Sequence, residues 1–207
     1  MPRKEAPINQ LLDYLPPNTY NAVIHYLHQY KVHLTIARER KSILGDYRHK
    51  LHDKTHRISV NGNLNSYSFL ITLLHELAHL LTFERFGNKV QSHGKEWKEL
   101  FGQLLQQFVQ EKIFPADIDQ ALLKSLQNPS ASSCADDGLM RVLKGYDKKN
   151  ESLVFIENMP HGTIFKTHDG KVFKKGEKLR KRFKCIELAS KKLYLFSPVY
   201  EAELVSD

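Results

Sequence analysis

Two cysteines in 207 residues, Cys134 and Cys185, are too few for a disulfide framework or a four-cysteine zinc ribbon. A reducing cytoplasm is the simplest home for such a chain. Long apolar runs are also missing. No stretch approaches the roughly 18 consecutive apolar residues of a membrane-spanning helix. No apolar segment of signal-peptide length follows the charged start at residues 1–7, so neither a membrane anchor nor a secretory leader is expected. There is no Gly-rich phosphate loop and no Gly-x-Ser-x-Gly elbow, which leaves nucleotide hydrolysis and serine hydrolysis without support. Glycine and proline are scarce, at ten and eight, and exclude a collagenous or low-complexity chain. With 41% hydrophobic and 26% charged residues, the composition is that of a globular protein. Its length allows one domain or a core domain with a small appendage.

Basic charge is present in excess and is unevenly placed. The chain carries 31 Lys and Arg against 23 Asp and Glu. Residues 1–137 hold 16 against 14, whereas residues 138–207 hold 15 against 9. The last third is therefore the electropositive part, and phosphates are natural partners for such a field.

The pattern along the chain divides in the same place. Ile8, Leu11, Leu12 and Leu15 have helical spacing up to Pro16-Pro17, and a second helix is expected over residues 18–30. Alternation over residues 32–38, 47–48 and 57–60 then predicts a small antiparallel sheet, with Gly45 at a turn. Two long helices follow, one from Ser66 to Phe86, stopped by Gly87-Asn88, and one over residues 94–112. A shorter helix runs through Leu122, Leu123 and Leu126. Residues 128–133 read as a linker, with Cys134 a free thiol beside it. Short strands are expected at 139–143, 153–156, 163–166, 182–188 and 193–196, with a hairpin turn at His168-Asp169-Gly170-Lys171. The expected fold class is α+β: a helical core with a small antiparallel sheet over residues 1–127, a linker over 128–137, and a small basic all-β module over 138–207.

The chemistry is concentrated in Leu73-Leu74-His75-Glu76-Leu77-Ala78-His79-Leu80-Leu81. On a helix His75 and His79 stand one turn apart, so both rings leave one face and can share a metal. Imidazole nitrogens suit zinc. Glu76 lies about 100° around the helix, where it can serve as general base toward a zinc-activated water. Two surface histidines beside an unrelated glutamate would be the plainer alternative. It is weakened because the motif sits inside an apolar helix, where each polar group needs a partner. A catalytic zinc usually takes a third protein ligand. His93, in the turn Gln91-Ser92-His93-Gly94, is preferred because Gly94 permits a close backbone approach. Glu96 and Glu99, on the following helix, are the acidic alternatives.

Together, Gly45-Asp46-Tyr47-Arg48, Arg57-Ile58-Ser59-Val60-Asn61, the HELAH helix and His93-Gly94-Lys95-Glu96-Trp97 resemble the SprT-like family of zinc metallopeptidases. The eukaryotic relative Spartan cleaves proteins crosslinked to DNA. The resemblance covers about residues 30–109. It implies one zinc held by His75, His79 and His93, Glu76 as general base, and a metalloendopeptidase acting on DNA-associated proteins, hence a part in DNA repair. Many family members carry a four-cysteine ribbon after the core. Here only Cys185 stands at a plausible ribbon position, so thiolates cannot hold a second zinc there.

Residues 171–184 hold eight basic residues against Glu177: Lys171, Lys174, Lys175, Lys178, Arg180, Lys181, Arg182 and Lys184. They are the candidate nucleic-acid contacts, non-specific and salt-sensitive. The other histidines show no ligand spacing that defines a second site. Tyr47, Arg48 and Arg85 are the candidates for stabilising an oxyanion. Two rival functions remain: a nucleic-acid-binding protein whose zinc is structural and catalytically idle, and a zinc hydrolase of small amides.

Overall fold

The computed structural model describes residues 7–40, 43–50, 55–127, 136–148, 150 and 152–205. The linker expected at 128–133 and Cys134 lie outside them. The chain forms two compact units, residues 1–147 and 148–207.

The first unit is organised by one buried helix. After a 3-10 segment at Ile8–Asp13, α1 (Tyr20–Gln29) leads into β1 (Val32–Ala37), β2 (Gly45–Arg48) and β3 (His56–Asn61). Helix α2 (Ser66–Phe86) follows, then α3 (Lys95–Gln110), α4 (Ala116–Gln127) and α5 (Asp137–Lys144). Asn65 caps α2, its side chain accepting from the Ser68 N–H. Gly87, at φ 59, ends the helix in a conformation that glycine adopts without strain. Between these ends Phe69, Leu70, Ile71, Leu73, Leu74, Leu77, Ala78 and Leu80 are all buried. The helix packs on β2 and β3 on one side and α3 on another. Each such large side chain withdraws apolar area worth roughly 1.5–3 kcal/mol. This burial fixes the orientation of α2 and so the placement of its polar residues.

The sheet is mixed, not antiparallel as expected. Its order is β1-β3-β2, with β1 parallel and β2 antiparallel to β3. The reason lies in which strand can be central. Ile58 and Val60 of β3 are fully buried, whereas β1 and β2 carry half-buried and exposed residues suited to edges. Alternation identifies strands but not the order in which they pair.

A second difference is α5. Residues 139–143, expected as a strand, form a helix capped by Asp136, which accepts from the Gly138 and Leu139 N–H groups. Leu139 and Leu143, four apart, then share one buried face and join the core of the first unit. Asn65 ties this helix down by donating to the Leu143 carbonyl (3.0 Å) and to Asp147 (2.6 Å). Residues 138–147 thus belong with the helical unit, and the chain divides between Asp147 and Lys148.

The second unit is an antiparallel six-stranded sheet: β4 (Leu153–Phe155), β5 (Ile164–Lys166), β6 (Val172–Leu179), β7 (Arg182–Glu187), β8 (Leu193–Phe196) and β9 (Glu201–Leu204), in the order β4-β9-β5-β6-β7-β8. The β5–β6 turn falls at residues 167–171, where Thr167 N–H bonds the Lys171 carbonyl and Gly170 has φ 82. Ile156, Met159, Phe165, Phe173, Cys185 and Ala202 form its core. A bulge interrupts β6 between Lys175 and Lys178. A Cβ on Gly176 would strike the Lys184 carbonyl, so glycine is required there.

Candidate metal centre

His75 and His79 project from the same face of α2. The turn after Gly87 returns the chain so that His93 reaches them from just before α3, and Gly94 N–H closes that turn on the Gln91 carbonyl at 3.0 Å. Nε2 of His75 lies 3.2 Å from Nε2 of His79 and 3.3 Å from Nε2 of His93. Two nitrogens at ~2.0–2.1 Å from a common tetrahedral centre are separated by about 3.3–3.4 Å, so the three donors fit zinc in spacing as well as in kind. Among the described residues this is the only such group of ligating side chains, and Glu96 and Glu99 are not part of it. Glu99 is exposed.

Burial keeps the donors neutral. Desolvation, reinforced by His79 and His93, pulls His75 down to about 3. Desolvation and His93 take His79 down to about 4, and burial also lowers His93. All three nitrogens therefore offer lone pairs at neutral pH, as metal binding requires.

Aromatic packing holds the rings. Trp97 is fully buried, with its ring centroid 4.7 Å from His75, 5.3 Å from His79 and 4.7 Å from His93. Phe101 backs both Trp97 (5.0 Å) and His75 (5.5 Å). Nδ1 of His75 and Nε1 of Trp97 are buried without a hydrogen-bond partner. A metal-ligating imidazole is usually fixed by a hydrogen bond from its other nitrogen; for His75 the tryptophan supplies that constraint through packing.

Glu76 is buried beside the group, and desolvation, with a further push from Asp46 against a pull from Arg40, raises its carboxyl to about 8. Gly45, which the sequence marks only as a turn, explains how the carboxylate fits. A Cβ there would collide with Glu76 Oε1 and lie 2.8 Å from both Glu76 Cγ and Thr72 Cγ2. The chain entering β2 is clamped by Arg40, which donates to Asn61 Oδ1 (2.7 Å), Ser59 Oγ (2.9 Å) and the Leu44 and Ser59 carbonyls (3.3 Å each). Asn61 returns two bonds, to the carbonyls of Arg40 and Ile43, both at 3.1 Å.

A third layer lies behind His79. The Tyr47 ring stacks on it at 6.4 Å, and the Tyr47 hydroxyl bonds His56 Nδ1 at 2.9 Å. His56 Nε2 is 3.2 Å from Glu84 Oε1, which Lys50 also pairs at 2.9 Å. His56, which the sequence did not single out, is buried. Its alternation with Ile58 and Val60 along one strand face was the available signal. Of the three proposed oxyanion groups, Tyr47 is engaged by His56, Arg48 is exposed and paired with Asp46, and Arg85 lines a separate cleft of about 400 Å³ between α1, α2 and α3.

The eight candidate nucleic-acid residues separate. Lys175 is buried: its ammonium donates to the Glu157 and Met159 carbonyls and sits 4.2 Å over the Phe183 ring. Lys171 pairs with Asp169 at 3.5 Å. Lys178, Arg180, Lys181 and Arg182 cluster at the tip of the β6–β7 hairpin, all exposed but the half-buried Arg182. Lys174 and Lys184 are exposed on the sheet's outer face.

The profile of the SprT-like family matches residues 18–118, the segment that contains α1, the mixed sheet, α2 and α3, all three histidines and Glu76. The segment at residues 18–118 is SprT-like. It is 50% identical over 42 residues to "Protein SprT" of Glaesserella parasuis serovar 5 (strain SH0165), which covers 20% of this chain and 26% of that protein. The chain thus spans about a quarter of the length of this curated relative. No solved structure matches. No helix among the described residues is long and apolar enough to cross a membrane.

Proposed function

We propose that the protein is a zinc-dependent metalloendopeptidase. The observation that carries this reading is the convergence of three neutral imidazole nitrogens at 3.2 and 3.3 Å with a buried carboxyl on the helix that carries two of them. His75, His79 and His93 would hold the ion through Nε2. When bound, zinc would polarise a peptide carbonyl and acidify water. Glu76 takes the proton of the attacking water as its oxygen bonds to the carbonyl carbon. It returns that proton to the amine as the C–N bond breaks. A carboxyl raised by burial suits such a shuttle, because its affinity for a proton lies near neutrality. Gly45 leaves the room in which Glu76 stands.

The substrate we infer is protein associated with DNA, in the cytoplasm. Support comes from the SprT-like segment and from the cations at the β6–β7 tip, Lys178, Arg180, Lys181 and Arg182, which would position a phosphate backbone without reading sequence.

The test combines metal content with hydrolysis, on protein purified without added metal or a histidine tag. The parent should retain about one zinc per chain, lost in His93→Ala and kept in Glu99→Ala. Glu76→Gln should keep the metal and lose at least about a hundredfold in cleavage of a DNA-bound protein. A parent that binds zinc but behaves as Glu76→Gln does, with DNA binding intact, would favour the nucleic-acid-binding alternative with an idle metal. Cleavage confined to small amides would leave a hydrolase with another substrate.

A further inference from the structure

Among the described residues, the sheet of the second unit ends in an unprotected edge. Strand β8 pairs with β7 on one side only and is the last in the order. Glu187 N–H donates to the Lys192 carbonyl, and Cys185 lies opposite Tyr194. The alternation of an antiparallel ladder therefore turns the backbone groups of Leu193 and Leu195 away from β7. Natural edges are usually guarded by charge, proline or a bulge. Leu193-Tyr194-Leu195-Phe196 has none of these.

The face beside this edge is apolar at its centre and cationic around it. Leu193 is 55%, Leu195 60% and Ile186 42% exposed, and Ile186 is the cross-strand partner of Leu193. Lys184 lies opposite Leu195, and Lys174 opposite Ile186. Lys191 and Lys192, both exposed, lead into the strand. Of the carboxylates on β6 and β7, only Glu177, at the bulge, is exposed. Glu187 is buried and bonded by Ser190 and Tyr194.

We propose that the free edge of β8 is a docking site for an extended peptide segment that alternates aliphatic and acidic residues, added to the sheet as a further strand. Main-chain bonds to Leu193 and Leu195 supply affinity. The aliphatic side chains of the incoming strand cover the two leucines, and its carboxylates meet the surrounding lysines. A second copy is the wrong occupant, because its β8 edge, Leu193-Tyr194-Leu195-Phe196, carries no carboxylate to meet the surrounding lysines.

The probe is a short fluorescein-labelled peptide alternating valine and glutamate, titrated against the full chain by anisotropy. Peptides alternating valine with lysine and valine with serine are the controls. Leu195→Pro should weaken binding at least about tenfold while leaving the fold intact, since the nitrogen it modifies does not bond β7. Leu195→Ser serves if the proline variant misfolds. Lys184→Glu should cost roughly threefold, the size of an exposed charge contact. Equal binding of the three peptides, no binding of the glutamate peptide, or binding unchanged in Leu195→Pro and Leu195→Ser would each overturn the proposal. So would concentration-dependent dimerisation abolished by Leu195→Pro, which would make a second copy the occupant. DNA binding abolished by that same substitution would make the edge a nucleic-acid surface and overturn it equally.

Discussion

In the first unit, His75, His79 and His93 turn three neutral nitrogens toward one point, a donor set that suits an added cation. In the second unit the chain supplies the cation itself. Lys175 enters the core opposite Cys185, donates to the carbonyls of Glu157 and Met159, and lies over Phe183. Burial lowers its affinity for a proton and raises that of Cys185, so neither behaves as its exposed counterpart would. Here one ammonium ties two carbonyls and an aromatic ring together, and a sheet of this size can close without metal. A buried cation can serve chemistry or architecture, and the groups around it reveal which. Three imidazoles leave an ion open to further ligands, whereas two carbonyls and an aromatic face enclose the Lys175 ammonium.

The strongest way to break that contrast is to remove metal. Excess zinc should stabilise the first unit by about 4 kcal/mol at a thousandfold excess over its dissociation constant, and a chelator should reverse this. The second unit's amides should exchange at the same rate in both conditions. Hydrogen exchange resolved by peptide reads both units in one experiment, and zinc-dependent protection within residues 153–205 would show that the second unit also depends on metal. Next in size is Gly45→Ala. The added methyl must displace the Glu76 carboxylate, so hydrolysis should fall about a hundredfold, as a small misplacement of a catalytic group can cost. Zinc content should stay unchanged, because no ligand moves. Loss of metal along with activity would mean that β2 supports the histidines rather than the base.

How much of this could be read from the sequence depended on how local each signal was. HELAH is a five-residue pattern whose geometry any helix fixes, and His93 stands in a turn only fourteen residues later. The group assembled as expected for that reason. The parallel pairing of β1 with β3 required knowing which strand is central, a property of the packed sheet. The helix at residues 137–144 was obscured because Leu139, Met140, Val142 and Leu143 satisfy both a short strand and one helical face. Lys175 was counted among solvent-facing cations because its neighbours in sequence are. Alternation from Phe173, two residues earlier, already turns it inward, and its cross-strand partner Cys185 is buried with it.

Lys175→Met sharpens the second half of the contrast. It keeps the stem and leaves the Met159 and Glu157 carbonyls without their donor, at a cost of about 1–3 kcal/mol. Thermal unfolding of the second unit should register this while the zinc content of the chain does not change. Indifference to the substitution would mean that the aromatic core alone closes the sheet. In the first unit the comparable test is Trp97→Phe. A smaller ring still fills much of the site but grips the three imidazoles less closely, so zinc affinity should fall roughly tenfold, as when an outer support of a metal ligand is lost. An unaltered dissociation constant would show that α2 and the His93 turn alone orient the ligands.

The smallest effect concerns the layer behind His79. The hydrogen bond from Lys50, aided by the charges of Lys50 and His56 against a burial penalty, holds the Glu84 carboxyl below its ordinary value of 4.5. A carboxyl lowered on folding contributes stability that is present above the unfolded value and lost as pH falls through the folded one. Glu84→Gln keeps the shape of the side chain but removes its charge. The variant should therefore be less stable than the parent at neutral pH, by under about 1 kcal/mol since Glu84 is partly exposed. The two unfolding curves should converge as the solution is acidified below the ordinary carboxylate range. Urea denaturation at a series of pH values measures that difference directly. A gap that persisted at low pH would assign the role of Glu84 to packing against His56 and Phe83, and the charge would then contribute nothing to holding Tyr47 behind the metal ligand.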